Sequence, residues 1–226
     1  MIPLEDIILY HGSRSGIKGD IKPISREECD FGKGFYMGTI SEQAKGLVAY
    51  KQNPVFYEMK FRLSEIPEER ILNLNNNMDW LYTILANRQF CEEFNELEIA
   101  KDFIESTKKY DVVIGSIADG GILAAINEFA DYCMTDNGLI ACLQAVDYGK
   151  QYVAKTEFAC SKIEILSEHT ITEDEKKAIQ QYEREKKRER KGLVRKIEDK
   201  YINNGLYLDE IIEAERKKEK ERGFER

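Results

Sequence analysis

The sequence predicts an α+β fold, because segments typical of strands and of helices alternate irregularly along the first 171 residues. No regular strand–helix–strand repeat is present, which disfavours a doubly wound parallel sheet. The composition changes near Thr172, where closely mixed charges of both signs begin. We therefore predict a main domain in residues 1–171 and a charged helical extension in residues 172–226.

Five segments have the pattern of strands, in addition to a strand that ends near Tyr36. Residues 7–11 (IILYH) and 110–116 (YDVVIGS) are short apolar runs typical of buried strands. Residues 55–63 (VFYEMKFRL) alternate as a strand with one solvated face does. Two late strands are predicted in QYVAKT (151–156) and KIEIL (162–166).

Helical patterns separate these strands. Residues 41–52 follow a strand that ends near Tyr36, and Ser41 is the predicted N-cap of the helix. Residues 78–109 have helical spacing of apolar positions with polar breaks, and residues 123–134 predict a further helix.

The segment GSIADGGI (115–122) has the glycines of a phosphate-binding loop but lacks its lysine. The carboxylate of Asp119 would also repel a pyrophosphate. We predict a helix start here, with Asp119 or Ser116 as the cap.

The charges are unevenly distributed. Of 34 Lys+Arg and 42 Asp+Glu, residues 172–226 hold 17 and 15, so the extension carries +2 and the main domain −10. An acidic main domain disfavours a long polyanion as a passive partner. The extension has a thin apolar stripe that lies on the main domain or contacts a partner, and a solvated helix with a frayed end is the alternative. The stripe consists of Ile179, Leu193, Val194, Ile197, Tyr201, Leu208, Ile211 and Ile212.

Five scattered cysteines without a CxxC pair predict buried free thiols, with no disulfide-linked partner and no zinc site. The first ten residues carry Glu5 and Asp6 inside their apolar stretch, which disfavours a signal peptide. No apolar run approaches membrane-spanning length. We therefore expect a cytoplasmic protein that does not enter a membrane.

Three motifs carry candidate chemistry. His11-Gly12-Ser13 places an imidazole at a strand end, and the backbone N–H and C=O of the glycine can bracket an amide. In FGKGFYMGT (31–39), Tyr36 either stacks on a planar ligand or fills the core.

The third motif is Gln151, a polar residue that opens an otherwise apolar strand and so suits a cleft. Asp147 and Glu157 are nearby carboxylates. On one continuous strand Glu157 would lie roughly 20 Å from Gln151, so both cannot bind one ligand group. We prefer Gln151.

The order of these motifs resembles the ADP-ribosyltransferase fold, in the branch of diphtheria toxin and the poly(ADP-ribose) polymerases. That branch has His, Tyr and Glu on three separated strands, and HGSR and GKGFY are similar to segments of polymerase catalytic domains. Residues 7–166 are more closely similar to a bacterial family catalogued as a domain of unknown function. Members of that family are commonly encoded beside small partner genes, in a toxin–antitoxin arrangement.

The resemblance implies split antiparallel sheets flanked by helices, and NAD as a substrate. His11 would bond the adenine-side ribose, Gly12 would hold the nicotinamide carboxamide with Ser13 close by, and Tyr36 would stack on the nicotinamide. Gln151 stands where the signature has glutamate. No metal is implied.

The chain departs from the polymerases at three positions. Gln151 lacks the charge of glutamate, which makes chain elongation improbable. Ala44 and Leu47 replace a serine and a second stacking tyrosine, which predicts a looser nicotinamide site.

These observations predict a mono-ADP-ribosyltransferase that modifies a macromolecular acceptor, as a bacterial or phage toxin or effector. The alternatives are a weakened NAD- or ADP-ribose-binding module and an NAD glycohydrolase. The C-terminal helices are a candidate surface for an antitoxin or another protein partner.

Overall fold

The structure, a computed structural model, describes residues 5–74, 77–118, 120–145 and 149–224. The strands are β1 (Ile7–Ser13), β2 (Phe35–Gly38), β3 (Val55–Phe61), β4 (Ile71–Asn73), β5 (Val112–Ser116), β6 (Lys150–Ala154) and β7 (Ile163–Thr170). The α-helices are α1 (Ser41–Val48), α2 (Met78–Arg88), α3 (Glu92–Asn95), α4 (Glu98–Lys108), α5 (Gly121–Ala130), α6 (Asp136–Ala145), α7 (Glu157–Cys160), α8 (Glu173–Tyr201) and α9 (Leu208–Phe224). Short 3-10 turns occupy Leu63–Glu65 and Glu68–Arg70. The predicted α+β class is confirmed.

The strands of the described residues form one mixed sheet in the order β4-β5-β6-β2-β1-β3-β7. The expectation of split, antiparallel sheets is therefore wrong in two respects. The two halves are joined into one sheet between β2 and β1, and β4 pairs with β5 in parallel. A parallel pair needs a long crossover connection, which α2, α3 and α4 supply.

The two halves of the sheet meet at a single register pair of the described residues, Tyr10 with Gly38. The Thr39 N–H donates to the Lys150 carbonyl at 2.9 Å, so the odd-numbered positions of β2 direct their backbone groups toward β6. Since backbone directions alternate along a strand, Tyr36 and Gly38 direct theirs toward β1. The contact between β1 and β2 is thus one residue pair long. We call the part of the junction beyond that pair, between Gly12 and Tyr36, the gap.

Two large hydrophobic clusters cover the two faces of the sheet, and a smaller third cluster of Ala44, Val48, Phe56 and Ile171 lies between α1 and β3. Val113 and Val153 face the cluster that contains Trp80 and residues of α2, α5 and α6. Ile114 and Ala154, one position further along each strand, belong to the cluster on the other face. This alternation is the two-residue period of a strand that is buried on both sides.

The C-terminal extension packs on the main domain. Thr172 and Glu175 form a capping box at the start of α8, where the composition changes. The apolar stripe of α8 and α9 contributes to the same cluster as Trp80. Its buried members there are Val194, Leu208, Ile211 and Ile212. Of the alternatives left open by the sequence, contact with the main domain is the observed one, while the domain boundary itself stays a prediction.

Several predicted helix starts need correction. The N-cap of α1 is Ile40, and no side chain caps that helix, because Ser41 is already its first residue. Ser116 ends β5 and Gly120 is the N-cap of α5, so Ser116 is not the cap. Asp119 and Asp147 lie outside the described residues. Helix α6 was not predicted, since Gly138 near its start weakens the helical pattern.

All five cysteines are free thiols, as predicted, but the prediction that they are buried is wrong for Cys133, which is exposed, and for Cys29, which is half-buried. No helix in the described part of the chain combines the length and the apolar content that crossing a membrane requires.

The packing of α9 predicts a large difference between two neighbouring leucines. Leu208 is fully buried, whereas Leu206 is 49% exposed. Leu208→Ala should lower the free energy of unfolding by about 2–5 kcal/mol, because a buried leucine loses its contacts and leaves a cavity. Leu206→Ala is the matched control and should change it by less than about 0.5 kcal/mol. Urea denaturation of the full chain measures both, and equal effects would contradict the packing of α9 described above.

Candidate functional site

A cavity of about 150 Å³ opens at the junction of β1 and β2, and we call it the cleft. Four of the predicted site residues line it together: His11, Gly12, Tyr36 and Gln151. Ser13 is not among its lining residues. Ala44 and Leu47 of α1 form its wall, at the positions where a looser nicotinamide site was predicted.

The His11 ring bridges the gap between the strands. Its Nδ1 lies 2.7 Å from the Tyr36 carbonyl oxygen. A carbonyl only accepts, so Nδ1 carries the hydrogen and Nε2 is left as an acceptor. The ring also stacks on Phe35, with centroids 4.5 Å apart. Burial lowers the pKa of His11, although the bond to Tyr36 opposes this shift, so the neutral imidazole is favoured.

Gly12 supplies backbone groups to the cleft. A continued ladder from the Tyr10–Gly38 pair would place Gly12 opposite Tyr36. The Tyr36 carbonyl instead accepts from the His11 ring, and Gly12 is not paired in register with a β2 residue.

Gly12 also allows close packing of α1. A Cβ at this position would lie 2.3 Å from the Ala44 carbonyl oxygen and 3.0 Å from the Val48 methyl groups. The absence of a side chain is therefore required by the approach of α1 to the sheet, and it also keeps the backbone open to a ligand.

The Tyr36 hydroxyl is anchored below the cleft by a turn made of Asp30, Phe31 and Gly32, which we call the 30–32 turn. The hydroxyl donates to the Gly32 carbonyl at 2.6 Å and accepts from the Phe31 N–H at 3.0 Å. Burial, with the nearby Asp30 carboxylate, raises the pKa of Tyr36 well above its usual range. The hydroxyl is therefore a structural group, while the ring lines the cleft.

Gln151 is tied to the same turn. Its Nε2 donates to Asp30 Oδ2 at 2.8 Å and to the Ser116 carbonyl at 3.1 Å. The Arg88 Nε donates to the other carboxylate oxygen, Oδ1, at 2.5 Å. Burial raises the pKa of Asp30, although Arg88 and the hydrogen bonds oppose the shift. Gln151, Asp30 and Arg88 thus form one buried polar network beneath the cleft.

The sequence analysis missed Asp30 and Arg88. Asp30 directly precedes the FGKGFY motif, but its partners lie 58 and 121 positions away along the chain. The available signal was an acidic residue directly before a glycine-rich turn, because a carboxylate that is buried there needs a partner.

Glu157, the rival to Gln151, lies elsewhere. Strand β6 ends at Ala154 and Glu157 begins α7, so the two residues do not share a continuous strand. Glu157 lines a second cavity of about 530 Å³, with Lys33 and Lys155. Burial lowers the pKa of Lys155 to about 8. Gln151 thus lines the cleft and Glu157 lines the other cavity, while the preference for Gln151 as the ligand-binding residue stays a prediction.

The described residues contain no group of three or more His, Cys, Asp or Glu side chains close enough to hold a metal ion. The cleft instead offers a neutral imidazole nitrogen, an aromatic ring, an amide and a backbone N–H and C=O. These groups suit a planar, amide-bearing ligand with hydroxyl groups.

The anchoring of Tyr36 predicts a stability effect of its hydroxyl. Tyr36→Phe should lower the free energy of unfolding by about 1–3 kcal/mol, because it leaves the Phe31 N–H and the Gly32 carbonyl without their partner. Tyr50→Phe is the control, since Tyr50 is 58% exposed, and should have an effect below about 0.5 kcal/mol. Urea denaturation decides the matter, and a neutral Tyr36→Phe would show that the hydroxyl does not hold the turn.

Comparison with known proteins identifies the family and nothing beyond it. No curated protein and no solved structure matches the chain. The family model described as "Protein of unknown function (DUF3990)" matches residues 7–165, which include every strand that borders the cleft. The chain therefore belongs to the DUF3990 family.

Proposed function

We propose that this protein is a mono-ADP-ribosyltransferase with the ADP-ribosyltransferase fold, which transfers ADP-ribose from NAD to a macromolecular acceptor. The observation that supports the proposal is that His11, Gly12, Tyr36 and Gln151 line one cleft. These residues come from three strands and are four of the five that the resemblance implies for NAD, the fifth being Ser13, which does not line the cleft.

The nicotinamide end of NAD suits this cleft. A carboxamide has donors on its nitrogen and an acceptor on its oxygen, which the Gly12 C=O and N–H complement. The Tyr36 ring would stack on the nicotinamide, and the two bonds to its hydroxyl hold the ring in place. The remainder of NAD would extend past His11, whose Nε2 accepts a hydrogen bond from the adenine-side ribose.

In the proposed reaction the bond between the ribose C1′ and the nicotinamide nitrogen breaks, and its electron pair leaves with nicotinamide. The acceptor nucleophile bonds to C1′ and loses its proton. Positive charge develops on the sugar, so the protein contributes orientation and electrostatic stabilisation. The Gln151 Oε1 would accept a hydrogen bond from the 2′-hydroxyl of the nicotinamide-side ribose.

Gln151 also supports the alternatives, an NAD- or ADP-ribose-binding module and an NAD glycohydrolase. A neutral amide stabilises developing positive charge less than a carboxylate does, and loss of such a group lowers rates by about 10²–10³-fold. In these alternatives the weakened site turns NAD over slowly, or binds NAD or ADP-ribose without turnover.

The biological setting extends the same proposal. The toxin or effector role, and an antitoxin or other protein partner at the C-terminal helices, are predictions drawn from the resemblance.

The decisive assay incubates the purified full chain with NAD labelled in the ADP-ribose part, alone and with cell lysate. We expect nicotinamide release and transfer of label to a macromolecule. His11→Ala and Tyr36→Ala should each lower release by about 10²-fold or more, because they remove groups that position NAD. His169→Ala is the matched control, since His169 is half exposed and bonds Glu175 away from the cleft, and it should keep full activity.

The other outcomes separate the alternatives. Nicotinamide release with label only in solution indicates a glycohydrolase, and NAD binding without release indicates a binding module. Full activity of folded His11→Ala or Tyr36→Ala would overturn the site, with circular dichroism as the check on folding.

A further inference from the structure

We propose that Asp30 is a positioning residue of the cleft, which fixes the Gln151 amide with its Oε1 toward the ligand and supplies from below the negative charge that a glutamate at position 151 would carry. The identity of the ligand rests on the proposed function, whereas the link between Asp30 and Gln151 does not.

The orientation of the Gln151 amide follows from its two partners. Asp30 Oδ2 and the Ser116 carbonyl are both acceptors, at 2.8 Å and 3.1 Å. They take the two hydrogens of Nε2. A flipped amide would place Oε1 against both oxygens and lose both bonds. Because Gln151 lines the cleft, the oxygen is the part of the amide left for a ligand.

Asp30 is itself held in one position. Its side chain is only 6% exposed, and Arg88 binds Oδ1 while Gln151 binds Oδ2. The Ala118 N–H donates a further hydrogen bond to the carboxylate. A buried carboxylate with three donors has little freedom to rotate, so it transmits a fixed geometry to the amide.

The same contact accounts for glutamine at position 151. A glutamate here would place a second carboxylate within hydrogen-bond distance of buried Asp30. Two such charges repel, and one would have to bind a proton. Aspartate at position 30 is therefore compatible with glutamine but not with ionised glutamate at position 151. The negative charge is carried by Asp30, beneath the cleft, and not by residue 151.

The charge reaches the ligand through the amide. A hydrogen bond from Nε2 to a carboxylate shifts electron density from the N–H hydrogen toward the nitrogen. Amide resonance passes part of that density to Oε1 and increases its negative charge. Oε1 then becomes a stronger acceptor for a hydroxyl group than an isolated amide oxygen. No proton transfer is required of Asp30.

The first test follows the Gln151 side-chain amide by ¹H–¹⁵N NMR between pH 8 and pH 4, with Gln151→Ala to assign the signals. Burial raises the pKa of Asp30 above 3.8, so the carboxylate binds its proton as the pH falls and its hold on Nε2 weakens. We expect an inflection in the Gln151 signals as the Asp30 carboxylate binds its proton. The pKa of Tyr36 lies well above the titrated range.

His11 in the same cleft also titrates, so the Asp30 inflection is the one that Asp30→Asn removes. The matched control is Asp111→Asn, because Asp111 is another fully buried aspartate paired with an arginine, Arg70, and bonds neither Gln151 nor the cleft. Asp111→Asn should leave the Gln151 signals and their inflection in place. Gln151 signals that ignore both the pH and Asp30→Asn would overturn the proposal. If Asp30→Asn fails to fold, His11→Ala removes the imidazole titration, and a Gln151 amide that is independent of pH in that variant overturns the proposal equally.

The second test uses NAD turnover. Asp30→Asn should lower the kcat for nicotinamide release by about 10–100-fold with a smaller change in KM, because the acceptor loses its charge and orientation in the transition state. Gln151→Glu should also be impaired. The double variant Asp30→Asn/Gln151→Glu should regain at least about 10-fold over each single variant, since it restores one carboxylate and one amide. A double variant no better than the worse single variant would contradict the proposal that the Asp30 charge acts on the ligand through the Gln151 amide.

The two tests separate the two proposals. If the wild-type protein does not turn over NAD, the proposed function fails while the NMR titration still decides the role of Asp30. If NAD is turned over and the Gln151 amide is independent of Asp30, only this inference fails.

Discussion

The cleft depends on the 30–32 turn, which binds two side chains from two different strands. Its backbone holds the Tyr36 hydroxyl, and the Asp30 carboxylate holds the Gln151 amide. The turn is secured by Arg88 on Asp30 and by the Phe31 ring, which is fully buried. Because one support positions both side chains, a change in the turn alters the stacking ring and the hydrogen-bonding amide together.

The second constraint is the short junction between β1 and β2. A continued ladder would pair Gly12 with Tyr36, but the His11 ring takes the Tyr36 carbonyl. Gly12 then has no β2 residue in register, and it lies at the wall of the cleft. The carboxamide contacts proposed for Gly12 depend on this interruption of the ladder.

The local features of this site could be predicted from sequence, and its supports could not. His11, Gly12, Tyr36 and Gln151 lie in short motifs whose order along the chain resembles a known family, and that resemblance singled them out. Asp30 acquires its role from partners 58 and 121 positions away, and no local pattern encodes them. The stripe on the C-terminal helices was visible, but its partner was not, since periodicity shows that a face is apolar without showing what it packs on. The single mixed sheet likewise depends on pairings between strands far apart in sequence.

The most direct measurement is a crystal structure of the full chain with a non-hydrolysable NAD analogue. The account predicts the nicotinamide carboxamide between the Gly12 N–H and C=O, the ring on Tyr36, and the Gln151 Oε1 on a ribose hydroxyl with Nε2 on Asp30. An analogue bound in the lysine-lined cavity beside Lys155, or a Gln151 amide turned with its nitrogen toward the ligand, would contradict it.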